Sequence, residues 1–277
     1  LLRGEPPGAG GPHRGGKMMP VNLRRTALVL CVGLVLVFLI VPVLIIIPMS
    51  FSDSRFLSFP PPAYSLRWYE AFFGSSAWMA AARTSLLVAM GSTVIATPLG
   101  IAAAYALASS QWRIMRFLRV VLLLPIIVPV IIIAAGVYFI FAEVGLLFTL
   151  PGLILANVML SLPFVVTAVT AGLDGFDFTP ERVARRLGMN RFRAFMTVTL
   201  PQVRPSVISG AVFAFIWSLD ETIVALFISG GRNSTLTKQM FTSLRDEIDP
   251  TIAAVSALLT FTSILAAMLV FLMNRKR

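Results

Sequence analysis

The chain reads as an all-α, polytopic membrane protein with six transmembrane helices and both termini in the cytoplasm. Three observations lead there. Of its 277 residues 57% are apolar and only 13% charged, with a mean hydropathy of +0.88, whereas soluble chains are about a quarter charged and under half apolar. Six apolar runs, at 27–49, 78–107, 118–142, 151–173, 206–229 and 250–273, each reach the roughly 20 residues that hydrocarbon demands of a helix. The basic residues collect on alternate loops, as cytoplasmic loops do. With the N-terminus inside, Arg3, Arg14, Lys17, Arg24, Arg25, the 113–119 and 182–204 arginines, Arg275, Lys276 and Arg277 make 17 of 23. The formal charge of +11 is therefore a topology signal, and nucleic-acid binding is set aside.

Each element follows in order. Residues 1–26 open with the Gly/Pro-rich LLRGEPPGAGGPHRGGKMMP, expected to be a disordered cytoplasmic tail; Met18 or Met19 is read as the natural start. The remainder, 27–277, is read as one six-helix membrane domain. Its first run exceeds the 7–15 or so residues of a signal-peptide core and lacks a small-x-small cleavage site, so it is an uncleaved anchor. In the second, Ser92, Ala96, Gly100, Ala104 and Ala108 form a ridge of small residues that lets helices approach closely, either within the chain or against a second membrane subunit. In the third, Pro125 and Pro129 stand one turn apart and kink the helix; Pro163 repeats the device in the fourth.

The fifth run carries SLDETIVALF, with Asp220 and Glu221 adjacent and no other charge between Val207 and Gly230. A charge at bilayer depth costs from about 2.5 to over 10 kcal/mol. On one helix from about Pro205 to Ile228, Asp220 lies about 22 Å from the inner end and the two acids point about 100° apart. They are read either as a buried network fixing helix packing, with Arg83, Thr84 or Ser85 as partner, or as a lining of the translocation path. In the second reading Trp217, Phe213 or Phe215 adds cation–π stabilisation for a cationic solute.

The loop at 174–205 is too short for a domain and too organised for a linker. Thr179 is read as N-cap, Pro180 and Glu181 suit the first turn, and Gly188 suits a left-handed stop. Asn190 caps a second helix, RFRAFMTVTL, ending at Leu200-Pro201. Val183 and Leu187 lie four apart. Such an elbow either lies in the lipid interface or docks into a cytoplasmic partner.

Anchored on Gly188, the loop resembles the EAA motif of ABC-importer permeases: Ala184 matches the second Ala, Val198 the aliphatic position, and Leu200-Pro201 the terminal Leu-Pro. Arg182 and Val183 replace the family's Glu and first Ala, and Glu181 stands one position earlier. SLRWYEAFF, SLDETIVALFISGG and DPTIAAVSALL are similar to segments of spermidine/putrescine-type permeases. The resemblance runs from about residue 65 onward. It implies a type I importer fold in the bacterial inner membrane, a dimer of ATP-binding subunits, and a second permease expected to be a different chain. A periplasmic binding protein and a polyamine cargo are implied too. Glu181, Ala184, Leu187, Gly188, Leu200 and Pro201 would form the coupling element, and Asp220, Glu221, Trp217 and Phe213 the path.

The residues alone exclude several classes. Cys31 and His13 are each the single residue of their kind, so no internal disulfide forms and His- or Cys-based catalytic and metal sites fail. No G-x-x-x-x-G-K-[ST] phosphate loop occurs, so the chain is not the ATPase, and no cofactor is called for. A secondary carrier using Asp220 and Glu221 as a proton relay is the competing class; the chain lacks the internal repeat such carriers show.

Overall fold

The computed structural model describes residues 21–110, 112–246 and 249–275. Residues up to Ile45 form one unit and Ile46–Arg277 a second. The first consists of most of α1 (Val21–Ser50). That helix begins at Val21, so residues 21–26, expected in the tail, are helical; no glycine or proline stands between Val21 and the apolar run to stop it. The rest of the expected tail lies outside the described residues.

In the second unit α2 (Arg67–Gly74) leads to α3 (Ser76–Ser109), α4 (Arg113–Ile127), α5 (Val130–Glu143) and α6 (Leu150–Asp174). Then come α7 (Thr179–Arg186), α8 (Arg191–Ala194), α9 (Leu200–Asp220), α10 (Ile223–Ile228), α11 (Leu236–Asp246) and α12 (Thr251–Arg275). Among the described residues, α1, α3, α6 and α12 are long and apolar enough to cross a membrane, and α4 with α5 makes a fifth span if counted as one. The third expected run is therefore not a kinked helix but two helices meeting at 103°. Proline disfavours the α conformation in the residue before it; Val128 is extended, and Pro129, with ψ 126°, is not helical either, so the helix breaks across the pair.

The core is a three-helix contact of α3, α6 and α9. Ser92, Ala96, Gly100 and Ala104 are all buried, so the small-residue ridge serves contacts inside the chain. A Cβ on Gly100 would stand 2.6 Å from Val165 Cγ1, and one on Gly210 would stand 3.1 Å from Val165 Cα. Two glycines thus let α3 and α9 approach α6 over one valine. A buried polar chain ties the same helices. Ser218 Oγ accepts from Ser92 Oγ at 2.9 Å and donates to Asn157 Oδ1 at 3.0 Å, while Asn157 Nδ2 donates to Leu153 O at 2.9 Å. Towards α5 and α10 the core continues through Val88, Val137, Leu153, Leu160, Val224 and Ile228.

Gly100→Ala is expected to lower stability by about 1–3 kcal/mol through overpacking, because Val165 is β-branched and stiff. Gly74→Ala, where nothing lies within 4 Å of the added carbon, should leave the melting temperature in detergent unchanged; equal shifts for both would refute the close-approach account.

Candidate functional site

Two places carry the chemistry: the elbow after α6 and an interruption after α9. At the elbow, Asp177 Oδ1 accepts from Thr179 N at 2.9 Å, and the Thr179 hydroxyl and amide hold the Asp177 carboxyl below its ordinary range. The helix consequently starts one residue earlier than the sequence suggests: Phe178 is at the cap and Thr179 is the first helical residue. The Thr179 hydroxyl, instead of capping, accepts from the Arg182 guanidinium at 3.0 Å.

Helix α7 has two unlike faces. Glu181, 3% exposed, and Ala184 point inward; Arg182, Val183, Arg185 and Arg186 point outward. The helix ends as expected at Gly188, with φ +97°. Gly188 N donates to Arg185 O and Met189 N to Ala184 O, both at 3.2 Å, the paired bonds of a Schellman stop. Asn190 Oδ1 then accepts from Arg193 N at 2.8 Å and caps α8. Leu187 is 81% exposed, and Val183, four residues earlier, is exposed too; Phe192 instead lines a hollow with Pro98, Tyr105 and Phe195. Arg182, Arg185, Arg186 and Arg191 line an adjoining hollow of about 490 Å³.

The second elbow helix does not stop at Leu200-Pro201. It widens into a π-helical turn, Phe195–Thr199, and continues as α9. Proline is tolerated in the first turn of a helix, so Pro201 opens α9 where the sequence reading had it close α8. Gln202 Nε2 donates to the Val198 carbonyl at 3.1 Å within the transition.

Glu181 lies inside this assembly. Its Oε1 accepts from the Tyr105 hydroxyl of α3 at 2.5 Å, and its Oε2 accepts from the Thr199 hydroxyl. The Tyr105 ring in turn packs on Phe195 at 4.5 Å, with the Arg191 guanidinium 5.2 Å above it. The expected coupling residues therefore divide: Glu181 and Ala184 face in, Leu200 is half-buried, and Leu187, Gly188 and Pro201 face out. Tyr105 and Thr199 were not singled out from the sequence; the available signal was the one acid of an arginine-rich helix, which needs a partner.

The fifth expected run is also interrupted. Helix α9 ends at Asp220, Glu221 is extended (φ −66°, ψ 116°), and α10 starts at Ile223. The cause is Glu221 itself. Its carboxyl turns onto α10, Oε1 accepting from Val224 N at 2.7 Å and Oε2 from Ala225 N at 3.0 Å. The first turn of α11 holds both ends of α10: Thr237 Oγ1 donates to Glu221 O at 2.9 Å and Lys238 Nζ to Ser229 O. An acceptor at the N-terminus and an ammonium at the C-terminus suit the helix dipole.

Asp220 is placed differently. It is exposed, and its side chain forms no hydrogen bond or ion pair among the described residues. With Trp217, Glu221, Thr222, Ile223 and Val130 it lines a cleft of about 230 Å³. Phe164 packs on Trp217 at 4.7 Å, and Phe213 is exposed one turn below. The expected partners do not serve: Ser85 accepts from Leu236 N at 2.7 Å, and Arg83 lies with Arg232 and Asn233 in a separate pocket, paired with neither acid.

Glu221→Ala, which orphans two buried donors, is expected to cost about 1–2 kcal/mol as a lost cap. Asp220→Asn should leave the melting temperature in detergent unchanged. A reversed order of the two melting temperatures would overturn this division of roles.

Comparison with known proteins bears on both places. The model of the family described as "binding-protein-dependent transport system inner membrane component" matches residues 96–277, which include the elbow and the interruption. The spermidine/putrescine transport system permease protein PotC of Haemophilus influenzae is 28% identical over 240 residues, covering 86% of this chain and 93% of the relative. The molybdenum transport system permease protein ModB of Mycobacterium bovis is 31% identical over 223 residues, covering 74% and 84%. Among solved structures, that of a bacterial alginate ABC transporter with an alginate pentasaccharide-bound periplasmic protein has a chain of like fold. Its TM-score is 0.66 at 16% identity, over 91% of this chain and 93% of that one. The matched span and the shared fold displace the secondary-carrier alternative: this all-α, multi-pass chain belongs to the family of inner-membrane components of binding-protein-dependent transport systems.

Proposed function

We propose that this chain is one permease of an ATP-driven importer that carries a small cationic solute, a polyamine of the spermidine or putrescine kind. It works with a second, different permease, a dimer of ATP-binding subunits and a periplasmic binding protein, in a lipid bilayer and without a cofactor of its own. The observation that carries the reading is the elbow: a short rigid knob, anchored from within, presenting apolar Val183 and Leu187 among arginines. An apolar tip with charges around it suits insertion into a protein cleft, where a few buried anchors dominate binding. A lipid-surface helix would instead bury a long apolar stripe.

Asp220 supports the cargo class. A cation in its cleft meets a carboxyl free of internal partners, the Trp217 ring face and the negative end of α9. PotC bears a polyamine name and ModB a molybdenum one, so the cargo rests on this chemistry together with the PotC likeness. Glu181, Ala184 and Leu200 shape the knob from behind, Leu187 and Gly188 form its tip, and Pro201 stands exposed where α9 begins; Phe213 extends the aromatic wall below Trp217.

Leu187→Asp is expected to lower capture of the ATP-binding subunit at least about tenfold, as loss of an anchor does, with the melting temperature unchanged. Undiminished capture would count against docking through this tip. Asp220→Asn should cut uptake of labelled putrescine about tenfold or more, given the cost of an uncompensated cation at depth, while leaving capture intact; unaltered uptake would remove Asp220 from the path.

A further inference from the structure

We infer that Glu181 acts on the inside of the elbow, as the pin through which movement of the elbow reaches α3, and not as a contact for the ATP-binding subunit. The inference rests on the proposed importer reading. With 3% of its surface exposed, Glu181 cannot meet a docked protein unless the elbow first comes away from the membrane helices. Both of its oxygens are already engaged, one by Tyr105 on α3 and one by Thr199 at the π turn that opens into α9. Among the described residues, the side-chain hydrogen bonds that join α7 to α3 and to the π turn both end on this one carboxyl.

The parts on either side are built to transmit rather than absorb displacement. The elbow is stiffened by the Schellman stop at Gly188 and by the Asn190 cap. Tyr105 is gripped by the Phe195 ring and by Arg191, whose guanidinium also donates to Ser109 at 2.8 Å. From Tyr105 to Ser92 along α3 is about 20 Å. Ser92 bonds Ser218, two residues before Asp220. A contiguous line of packed and bonded groups thus joins the elbow to the cleft, and Glu181 is its first link. Two hydroxyls converging on one carboxyl need both oxygens as acceptors; glutamine keeps the volume but offers one acceptor and two donors.

The test uses the complete importer in proteoliposomes, carrying Glu181→Gln, Tyr105→Phe or both, with labelled putrescine as probe. Each single variant is expected to capture the ATP-binding subunit as the parent does. Each should hydrolyse ATP at a near-parental rate but move about tenfold less putrescine per ATP, the scale of an allosteric coupling. The double variant should be no worse than either single one, as for two ends of one link. Loss of the ATP-binding subunit in Glu181→Gln would make Glu181 a docking contact. A joint fall of hydrolysis, transport and melting temperature would make it a mere brace, and multiplying losses in the double variant would exclude a single pin. If the parent chain captures no ATP-binding subunit, the importer reading itself fails, before any variant is made.

Discussion

Inside hydrocarbon a backbone N–H or C=O finds no water, and each one left open costs several kcal/mol. A helix that breaks there must therefore close its new ends from its own side chains or dispense with the groups. Both solutions occur here. Between α4 and α5 the residue that begins the new helix is preceded by Pro129, which has no N–H to lose. After α9, Glu221 supplies two acceptors to the start of α10, while Thr237 and Lys238 supply donors to Glu221 and to the end of α10. The two breaks face one cleft, where Val130 of α5 meets Asp220, Thr222 and Ile223.

That constraint separates two acids that are neighbours in the chain. Burying Glu221 is offset by the two hydrogen bonds its carboxyl accepts from Val224 N and Ala225 N. Had α9 run on, those N–H groups would have bonded their own helix and the carboxyl would have had nothing to accept. Asp220, at the last turn of α9, gains no such compensation and stays at the cleft. One acid thus creates the geometry in which the other is presented.

The three-helix core obeys the complementary rule for membranes, where close approach and polar contacts replace the hydrophobic drive. Gly100 and Gly210 on either side of Val165 bring the backbones together, and the Ser92–Ser218–Asn157 chain fixes their register. This rigid centre runs from the elbow, gripped at Tyr105, to the cleft. The elbow needs no core of its own because it borrows one, through Glu181 and Ala184 turned inward and the arginines turned out.

Composition, run lengths and the basic bias sufficed for the all-α, multi-pass class, since lipid tests residues singly: every side chain in a span must be apolar or accounted for. The elbow was legible for a like reason, because Gly188 and Asn190 act within a few residues of themselves. What the sequence left open were choices between partners. Tyr105 and Glu181 are 76 residues apart, and Ser92 and Ser218 are 126 apart; no spacing rule links them. The break at Glu221 was missed because TIVALFISG is as good a helix as any, and only a carboxyl folded back onto its N–H groups, with α11 clamped across both ends, makes the interrupted form the lower in energy. Local chemistry by itself determined that two acids stand together in an apolar run and that a helix–Gly–helix elbow carries a cluster of arginines. Which acid braces the fold, which faces the cleft, and which face of the knob is hidden were decided only when distant helices met, because a hydrogen bond is satisfied in space and not along the chain.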